Sequence, residues 1–157
     1  MGIGFTYYFD QADSEWLEDL SMGAEYDRYE WLDGDLDSEE LEWNVIGIRT
    51  LQGDYLGFEV EFEREILRES FEIIDALVVP VDEYRGIDFE LEFRSSSDRS
   101  VFGEIEFSYG DYYGGTSTRG ELELSWRPSR FLPLDGEIES TLARLPQEDV
   151  EVLTGSL

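Results

Sequence analysis

The amino-acid sequence predicts an all-β fold, an antiparallel meander of roughly eight or nine strands. Two observations carry this. Apolar and acidic residues alternate with a period of two in segment after segment, and short turn-rich clusters separate those segments.

Taken in chain order, the first strand is read over Ile3 to Phe9, the second over Leu20 to Trp31 and the third over Leu41 to Thr50, all with weaker alternation. The pattern is clearest next, where Phe58, Val60 and Phe62 alternate with Glu59, Glu61 and Glu63. Arg64 to Phe71 departs from it, because Ile66, Leu67 and Phe71 stand at near-helical spacing; one helical turn and a bulged continuation of the strand both fit. Alternation returns where Ile87, Phe89, Leu91 and Phe93 interleave with Asp88, Glu90, Glu92 and Arg94. Two further copies follow: Ile105, Phe107 and Tyr109 against Glu104, Glu106 and Ser108, then Leu122, Leu124 and Trp126 against Glu121, Glu123 and Ser125. Weaker strands over Leu134 to Leu142 and Asp149 to Leu153 complete the set. Between them, Asp33-Gly34-Asp35, Gln52-Gly53-Asp54, Ser95-Ser96-Ser97-Asp98, Gly110 to Gly115 and Arg127-Pro128-Ser129 supply turns short enough to imply consecutive hairpins. No linker breaks the chain, so residues 1–157 are read as a single domain.

Composition narrows the function. With 39 acidic against 11 basic residues the formal charge is -28. Every basic residue is arginine. Such a surface repels phosphates, which excludes nucleic acid as a partner. Without cysteine or histidine, thiolate chemistry, the usual zinc sites and Ser-His-Asp catalysis are excluded as well, and the chain is read as non-enzymatic, with no cofactor and no metal. The N-terminal residues lack a basic region followed by an apolar one, and nothing resembles a helical membrane span.

Period-two alternation does not reveal whether the apolar face covers a dry core or meets lipid. Bulky aromatics near strand ends (Phe62, Phe93, Tyr109, Trp126) and strands extendable to about nine or more residues suit a membrane barrel. A closed barrel of about eight strands has room only for its own side chains, and rows of glutamates could not be buried there. If the glutamates face a lumen, it must be wide and wet, and the chain is expected to be one portion of a larger barrel. On that reading Glu59, Glu61, Glu63, Glu90, Glu92, Glu104, Glu106, Glu121 and Glu123 are the candidate pore-lining or wet-face residues. Phe58, Val60, Phe62, Phe89, Leu91, Phe93, Ile105, Phe107, Leu122, Leu124 and Trp126 are then the lipid-face or core candidates. The alternative is a soluble acidic β-sandwich or small barrel acting as a binding module for a ligand such as carbohydrate.

Short motifs add a resemblance. Leu67-Arg68-Glu69-Ser70-Phe71-Glu72-Ile73, Val79-Pro80, Glu83-Tyr84, Gly110-Asp111-Tyr112-Tyr113-Gly114-Gly115, Trp126-Arg127-Pro128-Ser129 and Leu145-Pro146 together resemble the bacterial family called domain of unknown function 5916. The resemblance covers roughly Phe58 to Leu157. It implies a location in the bacterial outer membrane, with lipid as partner, and a barrel region that follows a carbohydrate-binding domain of the family-nine type. It also implies remaining barrel strands. Neither that domain nor the closing strands are found in the sequence, so a partial chain is expected.

Four smaller features remain. Carboxylate pairs such as Glu59 and Glu61 or Glu90 and Glu92 stand about 7 Å apart on one strand face, within the range of glycosidase pairs, but they recur on several strands as a solvated face would. Asp33, Asp35 and Asp37 with Glu39 and Glu40 look like half a calcium loop, but Ser38 stands where the sharp-turn glycine belongs and Asn44 where the bidentate glutamate belongs, which favours an ordinary acidic turn. Arg94, Arg99, Arg119, Arg127 and Arg130 either line up as a cationic stripe facing the acids or pair locally with neighbouring glutamates. Tyr112 and Tyr113 suit either sugar stacking or a hairpin tip at a membrane interface.

Overall fold

The computed structural model describes residues 1–10, 13–74, 77–129, 132–146 and 149–156. Its main element is one antiparallel sheet of nine strands: β1 (Gly2–Asp10), β2 (Leu17–Glu30), β3 (Leu36–Thr50), β4 (Tyr55–Ile66), β7 (Glu83–Arg94), β8 (Val101–Tyr112), β9 (Gly115–Ser129), β10 (Leu132–Arg144) and β11 (Asp149–Ser156). They follow one another in space in chain order, as short hairpin connections require. A small hairpin, β5 (Phe71–Ile74) and β6 (Leu77–Val79), is inserted between β4 and β7.

Turn chemistry explains the tight connections. Gly34 (φ 89°), Gly53 (φ 84°) and Gly114 (φ 79°) occupy the left-handed region that glycine enters without steric cost. The Gly34 amide donates to the Trp31 carbonyl at 2.9 Å, and the Gly53 amide donates to the Thr50 carbonyl at 2.8 Å. The ambiguous stretch after Arg64 contains no helical turn: β4 runs on to Ile66, pairing Glu65 with Tyr84 and Ile66 with Glu83, and the chain then bends through Leu67 to Ser70.

Register places residues of like character opposite one another. Phe58 faces Leu91, Val60 faces Phe89 and Phe62 faces Ile87 between β4 and β7, while Glu59 faces Glu90 and Glu61 faces Asp88. The same parity continues through β8, where Phe107 faces Leu91 and Glu106 faces Glu92, and through β9, where Leu122 faces Ile105 and Glu121 faces Glu106. Across β4, β7, β8 and β9 the sheet therefore has one apolar face and one carboxylate face.

On β7 and β8 burial runs opposite to that of a soluble sheet. Along β7 and β8 every carboxylate from Asp88 to Glu92 and from Glu104 to Glu106 is half-buried, whereas the interleaved Ile87, Phe89, Leu91, Ile105 and Phe107 are exposed. In a single curved sheet, side chains on the concave side crowd one another and those on the convex side splay apart. The carboxylate face is thus the concave one. Among the described residues the buried apolar side chains are Leu17, Val60, Val79, Ala143 and Leu145, scattered from β2 to the residue just after β10, and no second layer covers the apolar face. The dry interior of a sandwich is not formed: Phe62, Phe93 and Trp126 are 39%, 41% and 48% exposed.

The sheet is open, with β1 and β11 at its two edges. Because nine strands alternate in direction, the two edge strands run parallel to each other. An all-antiparallel barrel cannot be closed by joining them.

Candidate functional site

All nine glutamates marked out by alternation lie on the concave face, and pairing gathers them into rows. One row runs Glu25, Glu42, Glu61, Asp88 across β2, β3, β4 and β7. Another runs Asn44, Glu59, Glu90, with the Asn44 amide group donating to the Glu59 carboxylate at 2.9 Å. Further along, Glu92, Glu106, Glu121 and Glu139 form a third row and Glu104, Glu123 and Glu137 a fourth. Glu63 faces Glu40. Directly opposed carboxylates repel, so such rows need water, cations or interleaved arginines.

Arginine supplies part of that compensation. Arg94 donates to Glu104 at 2.8 and 2.9 Å and is also paired with Glu92 on its own strand. Arg119 bridges Glu121 at 2.8 Å and Glu139 at 2.9 Å. Arg127 lies over the Phe102 ring, 4.5 Å from its centroid, and Arg99 sits in the β7–β8 loop, bound to Asp54. Arg130 falls outside the described residues. Among the described residues Arg94 and Arg119 thus pair with neighbouring glutamates, while Arg99 binds a distant aspartate and Arg127 rests on a ring.

The convex face carries an apolar band about four side chains tall on each central strand, for example Leu56, Phe58, Val60 and Phe62 on β4 and Phe93, Leu91, Phe89 and Ile87 on β7. Phe58, Phe89, Leu91, Phe93, Ile105, Phe107, Leu122, Leu124 and Trp126, with Val60 and Phe62, all share this face. One edge of the band ends in charge: Arg64 pairs with Glu39 and with Glu83, both at 3.0 Å, Arg85 pairs with Glu83 at 2.7 Å, and the Tyr26 hydroxyl donates to Glu39 at 2.9 Å. On this one face the residues change abruptly from apolar side chains to ion pairs.

At that same end, loops are tied across the strand tops. Arg68, in the bend after β4, donates to Asp33 at 2.6 Å and to Asp35 at 2.8 Å, and its guanidinium lies 5.0 Å from the Trp31 ring centroid. The guanidinium holds the Asp33 carboxyl below the usual carboxylate range. Tyr113, with φ 45° in the β8–β9 turn, packs edge-on against Phe71, Tyr84 and Tyr112 and donates its hydroxyl to Glu65 at 3.0 Å. Burial first, then the hydrogen bond to Glu65, raises the pKa of this phenol. A shallow hollow of about 170 Å³ lies beside it, lined by Glu63, Glu65, Tyr84, Arg85, Asp111 and Tyr112 among others.

The acidic turn does not assemble a cation site. Asp33 and Asp35 are engaged by Arg68, while Glu39 and Glu40 are adjacent in β3 and point to opposite faces. Among the described residues no group of three or more carboxylates is arranged to hold a metal ion. Asp88, already part of the alternation read in its strand, lines the concave face with Glu25, Glu42 and Asn44, and these last three were missed by alternation alone. Only the pairing register, which depends on a β-bulge between Asn44 and Ile46, puts Asn44 beside Glu59.

Neither a protein-family model nor a curated protein nor a solved structure matches this chain.

Proposed function

We propose that the chain is a segment of an outer-membrane β-barrel protein, with its convex apolar face against lipid and its concave carboxylate face against a water-filled lumen. Its role is structural or pore-lining, without catalysis of its own. The observation that carries this reading is the inversion of burial, in which glutamates are crowded on the inside of the curve and phenylalanines splay outward. In water, leaving Phe89, Leu91, Phe93 and Phe107 41–47% exposed on one uncovered face forfeits the main driving force of folding. In hydrocarbon the same exposure is favourable.

Strand length supports the reading. The seven strands between the edges have 12–15 residues each, more than the about 9–11 that a tilted strand needs to cross a bilayer. A lumen lined by these carboxylate rows attracts cations and repels anions. The outer-membrane location and the completing strands are part of this proposal, as is the accompanying carbohydrate-binding domain implied by the motifs around Tyr112 and Arg127. The complete barrel recorded in a planar bilayer should pass cations in preference to anions, and a preference for anions would overturn the lumen assignment.

A soluble binding module is the second reading. The hollow beside Tyr113, with tyrosine rings and carboxylates together, has the chemistry that sugar hydroxyls and ring faces require. That reading needs a cover for the apolar face, and none is supplied by the described residues.

A further inference from the structure

The β1 edge has a chemistry of its own. The Arg28 amide donates to the Met1 carbonyl at 2.9 Å and the Met1 amine donates to the Arg28 carbonyl, so these two residues form a hydrogen-bonded pair. The β1–β2 register continues without a shift, and hydrogen-bonded pairs therefore recur at Ile3, Phe5, Tyr7 and Phe9. Gly2, Gly4, Thr6, Tyr8 and Asp10 consequently turn their N–H and C=O groups toward the open edge. Ile3, Phe5 and Tyr7 on the convex side are 71%, 68% and 57% exposed, well above the Phe89, Leu91 and Phe107 values in the sheet interior. A neighbouring strand is what those interior positions have and β1 lacks.

The concave side says what that neighbour carries. Here the carboxylate rows end in small residues: Gly2 faces Asp27, Gly4 faces Glu25 and Thr6 faces Gly23. The two acidic side chains lean over the glycines toward the edge. A Cβ at Gly4 would stand only 3.2 Å from Glu25 Cβ and Cγ, and one at Gly2 would collide with the Asp27 carboxylate. Among the described residues neither Asp27 nor Glu25 has an ion-pair partner. Beside them lies an open hollow of about 380 Å³ lined by Gly4, Thr6, Gly23, Glu25, Glu42 and Asn44 among others. Tyr55 fills a comparable gap elsewhere on this face, its hydroxyl oxygen lying 2.8 Å from where a Gly57 Cβ would be.

We infer that β1 pairs with a further antiparallel strand of the same barrel whose convex side chains are apolar and whose concave side chains, opposite Gly2 and Gly4, are arginines reaching Asp27 and Glu25. Two strand spacings separate such an arginine from Glu25, about 10 Å, which an extended arginine and a glutamate span together when only glycine lies between. The inference rests on the barrel reading and deepens it. Since β1 and β11 run parallel, strands that close an all-antiparallel barrel around this sheet must be odd in number.

The test uses the full chain in neutral detergent micelles and two synthetic nine-residue strands alternating leucine with polar residues. One carries arginine at the two positions opposite Gly2 and Gly4, the other glutamate. Residue-resolved hydrogen exchange is the readout, with circular dichroism confirming unchanged strand content. The arginine peptide should slow exchange of the Gly4, Thr6 and Tyr8 amides at least tenfold, the glutamate peptide should not, and the Glu25→Gln plus Asp27→Asn variant should lose the distinction. Unchanged exchange with both peptides, or equal slowing by both, overturns the proposal. Lipid contact is not measured in this experiment, so a chain that inserts into vesicles but ignores the arginine peptide refutes the edge pairing alone.

Discussion

Arg99 grips Asp54 through both branches of its guanidinium, at 2.6 and 2.7 Å, and so fastens the β7–β8 loop to the β3–β4 turn. The Ser96 amide adds a third bond to the same carboxylate at 3.0 Å. These contacts hold the Asp54 pKa below its ordinary value, the guanidinium bond contributing most and the amide next. A depressed folded-state pKa means that the stabilisation is fully present above the unfolded value of about 3.9 and disappears as pH falls through the folded value. The Ser96 amide resonance should therefore stay constant from neutral pH down to about 4 and shift below it. In Asp54→Asn the shift should be absent, and Arg99→Ala should move it toward pH 4.

Tyr113 adopts φ 45°, a conformation that costs a non-glycine residue about 1–3 kcal/mol unless its surroundings hold it. Phe71, Tyr84 and the Glu65 carboxylate do so. Tyr113→Phe removes only the hydroxyl bond and should cost about 1 kcal/mol in urea unfolding. Tyr113→Ala removes the ring contacts too and should cost more, by about 0.5–1.5 kcal/mol for each aromatic pair lost. It should also release the β5–β6 hairpin, seen as faster amide exchange at Phe71 and Val79.

Much of this architecture was legible in the alternation. Phe58 to Glu63 and Ile87 to Arg94 announce two-faced strands because side chains project to opposite sides at every step, whatever lies beyond either face. The sense of curvature was not legible, since a concave acidic face and a concave apolar face leave the same period of two. The β5–β6 hairpin was hidden because Phe71-Glu72-Ile73-Ile74 is short and follows Ile66 and Leu67, which mimic helical spacing. The partners of Arg68 and Arg99 were equally out of reach: Asp33 lies 35 residues from the first and Asp54 45 residues from the second, and only folding brings them together.

Glu59 and Glu90 stand directly opposite each other, with no arginine paired to either among the described residues. Like charges so placed destabilise a strand pair by about 0.2–1 kcal/mol. Glu90→Gln should raise stability by about 0.5 kcal/mol at low ionic strength, and the gain should shrink in high salt as screening replaces the substitution.

Arg68 ties the bend after β4 to the β2–β3 turn while packing on Trp31. Arg68→Ala should leave the sheet intact but speed protease cleavage between Leu67 and Asp82 several-fold, because the segment loses its anchor on the strand tops. Unchanged cleavage would show that the Phe71–Tyr113 contact alone holds it.

The proposal that the convex face meets hydrocarbon is tested most directly by tryptophan quenching. Trp43 and Trp126 both project from the convex face and are each 48% exposed. With Trp16→Phe and Trp31→Phe removing the loop indoles, the chain reconstituted in vesicles should lose most of its fluorescence to lipids brominated along the acyl chain and little to aqueous iodide. Strong iodide quenching with no response to brominated lipid would contradict the lipid-facing assignment.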